Sequence, residues 1–159
     1  MRLFGSKNVQ GPYIYPAGNK VQFNSADGHK YGVKIIGNYQ FKDQPGYLSA
    51  GHNSALITDD GKYFLIYHQR FLDEAIGEKY EVRVHQQFLN EDKLLVTAVY
   101  EYKCEIIRKY TKDDVIGNYE FINHGNVVQG GKMLETRKFF LAEIEVLLEM
   151  KLVNGNCLM

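Results

Sequence analysis

Five histidines and a scatter of carboxylates are the residues whose types could do chemistry. They are His29, His52, His68, His85 and His124, with Asp59, Asp60, Asp73, Glu74, Glu91 and Asp92. No histidine sits at a close zinc spacing and no cysteine lies near one, so a zinc centre is not expected. Acid–base work needs paired carboxylates on either side of a cleft, about 5–9.5 Å apart depending on mechanism. The acidic residues fall in turns and polar loops, where turn chemistry accounts for them, and no pair stands out as acid and base. P-loop, dinucleotide, HExxH and Gly-x-Ser-x-Gly signatures are absent. His52 is the most suggestive residue. It lies in Ser49-Ala50-Gly51-His52-Asn53-Ser54, a small-residue turn ahead of a strand. Small residues let the backbone bend and approach a ligand, which would set His52, Asn53 and Ser54 at the mouth of that strand. The same His and Asn could equally cap local backbone groups. His68 reads as a strand-end packing residue. Glu81, Arg83 and His85 share one face of an alternating run, usually a solvated face with cross-strand pairs.

Composition limits what those residues can serve. Nineteen basic and 19 acidic residues cancel to a net charge of zero, against a nucleic-acid or anionic-membrane binder. No apolar run of about 18 residues predicts a membrane helix, and MRLFGSKNVQ lacks the apolar stretch of a signal peptide. Two cysteines, Cys104 and Cys157, fit neither a metal spacing nor a disulfide scaffold. Twelve tyrosines, nine phenylalanines and 15 glycines used as punctuation point to a mostly β protein.

The strands expected from the pattern are Met1–Phe4, Lys20–Phe23, Tyr31–Ile36, Ser54–Thr58, Lys62–His68, Tyr80–Phe88 and Leu94–Tyr100, with Tyr39–Phe41 either continuing the third or starting the next. Asp59-Asp60-Gly61 between two apolar runs is a strong hairpin signal. Gln69–Lys79 reads as a polar excursion. Val82 and Val84 face one side of their strand, Glu81, Arg83 and His85 the other. Ser54–Tyr100 thus forms a four-stranded antiparallel unit, the layout of a propeller blade, which needs neighbours to cover both faces. In a propeller, one end of an inner strand points at the central channel. Glu101–Asp114 is a charged stretch and the expected boundary. Ile116-Gly117-Asn118-Tyr119-Glu120-Phe121 echoes Ile36-Gly37-Asn38-Tyr39-Gln40-Phe41, each a Gly-Asn turn entering an aromatic strand. Glu135–Val153 carries apolar residues at Phe140, Ile144, Leu147, Leu148 and Leu152, the spacing of an amphipathic helix.

Several segments resemble glycoside hydrolase family 43, the endo-arabinanases. Ser6–Tyr13, Gly46–Ser54 with its Gly-His-Asn-Ser motif, Gly61–Phe71, Glu81–Gln86 and Phe88–Asp92 follow in the family's order, and Gly117–Gly125 resembles the opening of its C-terminal β module. The resemblance spans about residues 1–127 and is most specific over 46–92. It implies a five-bladed propeller and inverting hydrolysis of α-1,5-linked arabinan. It also implies a calcium ion at the propeller centre, with His52 in its environment. Asn53 and Arg83 are weak substrate-binding candidates. The family's three catalytic carboxylates would fall upstream of Met1, so this chain is expected to be inactive alone. It would comprise the end of the propeller (1–103) and part of the C-terminal module (104–159), a mostly β antiparallel architecture with a helical tail. Its partners would be arabinan and either an upstream propeller piece or another copy of itself. A non-catalytic carbohydrate-binding or structural β domain is the alternative.

Overall fold

The computed structural model describes residues 1–14, 20–21, 31–73, 77–104, 110–125, 134 and 136–141, with backbone alone at 72, 73, 77 and 78. Strand β1 (Arg2–Leu3) pairs antiparallel with β2 (Val33–Lys34). A four-stranded antiparallel meander follows: β3 (Tyr47–Ile57), β4 (Tyr63–Asp73), β5 (Gly77–Leu89) and β6 (Leu95–Thr97). A single helical turn, α1 (Lys112–Val115), precedes β7 (Gly117–Phe121), which pairs antiparallel with β8 (Arg137–Leu141). The meander is the layout of one propeller blade.

The β3–β4 turn forms where Asp-Gly predicts it. Gly61 N donates to Thr58 O (2.8 Å) and Thr58 N to Lys62 O (3.0 Å). Gly61 has φ +79°, a left-handed conformation that glycine adopts without steric cost. At the β5–β6 turn, Asn90 Oδ1 accepts from Leu94 N (2.8 Å), holding the reversal from the side chain.

Gln69–Lys79 is not an excursion. β4 runs on to Asp73 and β5 begins at Gly77, with Asp73 opposite Gly77. Strand pairing satisfies the backbone of these polar residues, although the buried Gln69 Oε1 has no hydrogen-bond partner among the described residues. Gln69 is fully buried and its amide donates to Leu48 O and Arg70 O.

The expectation for β5 also inverts. The Glu81–Arg83–His85 side is the covered one, with His85 fully buried, whereas Val82 is 64% exposed. The reason is what lies over each face. Residues 36–47 and 98–101 cover the first, placing Ile36, Tyr39, Leu65, Tyr67 and Ile122 in one core cluster with Tyr47 and Val99 against it. On the opposite face, among the described residues, Tyr102 closes the end near Phe64, its ring 4.8 Å away.

The ladder of β6 is shorter than Leu94–Tyr100, but Ala98 N and Tyr102 N still donate to Gln86 O and Val84 O (both 2.8 Å). The helix expected from Glu135 does not hold at Arg137–Leu141, which is strand. Pairing with β7 and the stacking of Tyr119 on Phe139 (5.3 Å) outweigh a periodicity carried mostly by later residues. The rest of that segment, and most of the expected Lys20–Phe23 strand, lie outside the described residues. Leu134 packs against the core and its O accepts from Gln40 N (3.1 Å), while Glu120 accepts from Lys42 N (2.9 Å). Glu120 of the second echoing segment thus bonds to the residue that follows the first.

Candidate functional site

His52 stands on β3, an edge strand of the meander. Two register shifts interrupt its pairing with β4, between Leu48 and Gly51 and between Gly51 and Ser54. Ser49 (φ 50°) and His52 (φ 48°) both take the left-handed conformation, rare for residues with a Cβ. Such bulges re-aim side chains and are enriched near functional sites. Residues 52–57 are all exposed along this edge. The Gly-His-Asn-Ser run is thus not a turn ahead of the strand but an irregular stretch inside it.

The sequence did not single out what surrounds His52. The His68 ring lies 5.8 Å from it, edge to face. His68 stacks on Tyr80 (5.0 Å, 12°), and the Arg70 guanidinium lies 5.6 Å from the centre of the same ring. Longer strands than expected make this row, since β4 and β5 carry His68, Arg70 and Tyr80 on one face. The period-two spacing of His68 and Arg70 was visible, but their pairing with Tyr80 needed the register.

Arg83 lies on the other face, away from His52. Its guanidinium meets Glu81 (2.5 Å) and Glu101 (3.6 Å) and covers the Phe71 ring at 4.6 Å. Burial alone would lower its pKa, but the Glu81 and Glu101 carboxylates and the Tyr47 hydroxyl outweigh that and raise it. Beside it, His85 Nδ1–H donates to Ala98 O (2.8 Å), so the neutral ring's Nε2 accepts from the Tyr67 hydroxyl (3.1 Å). Burial drives the Tyr67 hydroxyl pKa up, keeping that donor protonated.

The carboxylates are engaged locally. Asp60 pairs with Lys62 (2.7 Å), and Glu81 bridges Lys79 (2.8 Å) and Arg83. Asp114 accepts from Thr111 N (2.8 Å) at the start of α1. Asp59 lies in the β3–β4 turn, and Glu91 and Asp92 in the β5–β6 turn. Asp73 ends β4 and Glu74 lies outside the described residues. Among the described residues no group of three or more His, Cys, Asp or Glu could hold a metal ion. Calcium takes six to eight oxygen ligands. Two imidazoles without a carboxylate do not by themselves fit it.

No protein-family model matches the chain. It is 39% identical over 141 residues to the extracellular endo-α-(1→5)-L-arabinanase of Thermotoga petrophila, covering 80% of this chain and 29% of that protein. It is 37% identical over 139 residues to extracellular endo-α-(1→5)-L-arabinanase 2 of Bacillus subtilis, covering 79% and 29%. These relatives are family 43 endo-arabinanases, and the match is consistent with a C-terminal part of one. The arabinanase-like fold agrees. The crystal structure of the T. petrophila RKU-1 endo-1,5-α-L-arabinanase in complex with TRIS superposes with a TM-score of 0.80 at 37% identity, over 89% of this chain and 32% of that one. The family 43 YxiA protein of Bacillus licheniformis gives 0.78 at 37%, over 87% and 33%. The arabinanase-like chain thus spans about a third of the length of these relatives. Among its described residues no helix is long and apolar enough to cross a membrane.

Proposed function

We propose that the chain forms the non-catalytic C-terminal part of an arabinan-hydrolysing propeller, residues 1–103 ending the propeller and 104–159 opening a second β module. The observation that carries this is the Gly-His-Asn-Ser run, displayed on an exposed, bulged edge strand within a chain 39% identical to an endo-arabinanase. β3 contributes the wall facing the substrate channel, with His52 and Asn53 at its irregular centre. Acid and base come from polypeptide outside these 159 residues, because the carboxylates seen here are committed to turns and ion pairs. Calcium enters only as a composite site, with His52 offering one nitrogen and water and other blades the oxygens. Arg83 acts as a strut rather than a substrate ligand, its cation being spent on Glu81 and Glu101.

The deciding experiment is release of reducing ends from linear α-1,5-arabinan, with calcium and with chelator. The purified chain is expected to release none. It should restore hydrolysis when mixed with the N-terminal two-thirds of the T. petrophila relative, and chelator should reduce that activity. Turnover by the chain alone would place the acid and base within it, and Asp73 and Glu74 would be the first to substitute.

A further inference from the structure

At the end of the meander remote from β3's bulges lies a cavity of about 450 Å³, within the usual range for small-molecule sites. Leu3, Phe4 and Ile14 form one wall; Tyr63, Leu94 and Leu95 form the other. Each wall is fixed by backbone bonds. Gly5 N donates to Ile14 O (2.9 Å) and Ile14 N to Gly5 O (2.8 Å). Opposite, Lys93 N donates to Asn90 O (2.9 Å) and Asn90 N to Leu94 O (3.0 Å). Each wall thus keeps its own backbone pairing, and a cavity with preformed walls needs little reorganisation to take a ligand. Gly5, between the walls, has open space where a Cβ would stand.

Two lysines, Lys7 and Lys93, complete the lining. Lys42, Lys62 and Lys79 meet Asp43, Asp60 and Glu81, but among the described residues neither Lys7 nor Lys93 has an ion-pair partner. Lysine stems can line apolar surface while their ammonium heads remain in water. An apolar cavity with two uncompensated cations at its lining is complementary to one ligand chemistry. We infer that this cavity binds a small amphipathic anion, an apolar body carrying a single carboxylate, sulfonate or phosphate head. A neutral pentose polymer offers neither the apolar body nor the charge, so this site stands apart from the arabinan reading and does not rest on it.

Sodium dodecanoate, below its micellar range, is the probe, titrated into the full chain by calorimetry and followed by amide NMR. One saturable site is expected, with shifts at Leu3, Ile14, Leu94 and Leu95. Dodecanol should bind at least tenfold more weakly, and the Lys7→Glu/Lys93→Glu double variant should weaken dodecanoate at least tenfold. Leu95→Trp, which fills the cavity, should abolish binding while the far-ultraviolet dichroism stays unchanged. Val82→Glu, on the bare sheet face, should bind as the parent does. Absence of binding, equal affinity for dodecanol, indifference to the charge reversal, or loss of binding in Val82→Glu would each overturn the assignment.

Discussion

At the scale of single residues, the chain spends its histidines in three ways. His85 is a buried structural acceptor, and Tyr67→Phe would strip its partner while adding no bulk. That removes a buried hydrogen bond from Nε2, a loss of about 0.5–1.5 kcal/mol expected in urea unfolding. His124 is a neutral, half-enclosed packing residue, its ring edge-on to Tyr39 at 5.3 Å. Burial, then the positive charges of Lys34 and the Met1 amino group, lower its pKa from 6.5 to about 4. A depressed folded value means that the unfolded chain takes up the proton first. Stability from His124 is therefore complete above pH 6.5 and declines as pH falls toward 4, by up to about 3 kcal/mol. Unfolding curves at pH 7 and pH 4.5 should show it, and His124→Phe should lose that part of the difference. Among the described histidines His52 alone is exposed, at a strained backbone position, and so is open to an outside partner.

Among the elements, β3 departs most from ideal geometry. Its two register shifts and two left-handed residues keep an 11-residue edge from presenting a flat ladder, which also protects it from pairing with another chain. Ser49→Gly is expected to be neutral or to stabilise by about 1 kcal/mol, whereas Ser49→Val should destabilise by at least about 1 kcal/mol. Equal effects of the two in a urea titration would mean that position 49 carries no conformational strain. The β7–β8 pair is tied to the meander by Ile122 in the shared core, and to the covering segment 36–47 by the Lys42–Glu120 bond. Ile122→Ala should cost about 2–5 kcal/mol, and it should destabilise the meander as well as β7.

For the molecule as a whole, the dominant fact is a sheet with one covered face and one largely bare. Leu56 (48%), Tyr80 (56%) and Val82 (64%) lie exposed on the second. Apolar sheet surface of this kind is normally met by another layer. In isolation the chain is expected to self-associate as its concentration rises, and Val82→Glu should shift the sedimentation distribution toward monomer. A monodisperse parent chain, indifferent to that substitution, would show that the bare face is tolerated in water.

The sequence determined the class of structure and the blade's inner hairpin. Its aromatic, glycine-punctuated runs and the Asp59-Asp60-Gly61 turn encode local geometry, and local geometry is written in neighbouring residues. It also carried the family, through the ordered motifs between residues 46 and 92. Tertiary structure alone decided which face of β5 is buried, because alternation marks two faces without saying what will lie over either. It decided that Gln69 and Arg70 belong in a strand, since their backbone pairs with β5 and their side chains meet Leu48 O and the Tyr80 ring on neighbouring strands. It decided that Arg137–Leu141 is a strand, since the partner that makes it one is some 20 residues away. And it placed His68 beside His52, a meeting set by a cross-strand register that bulges had shifted.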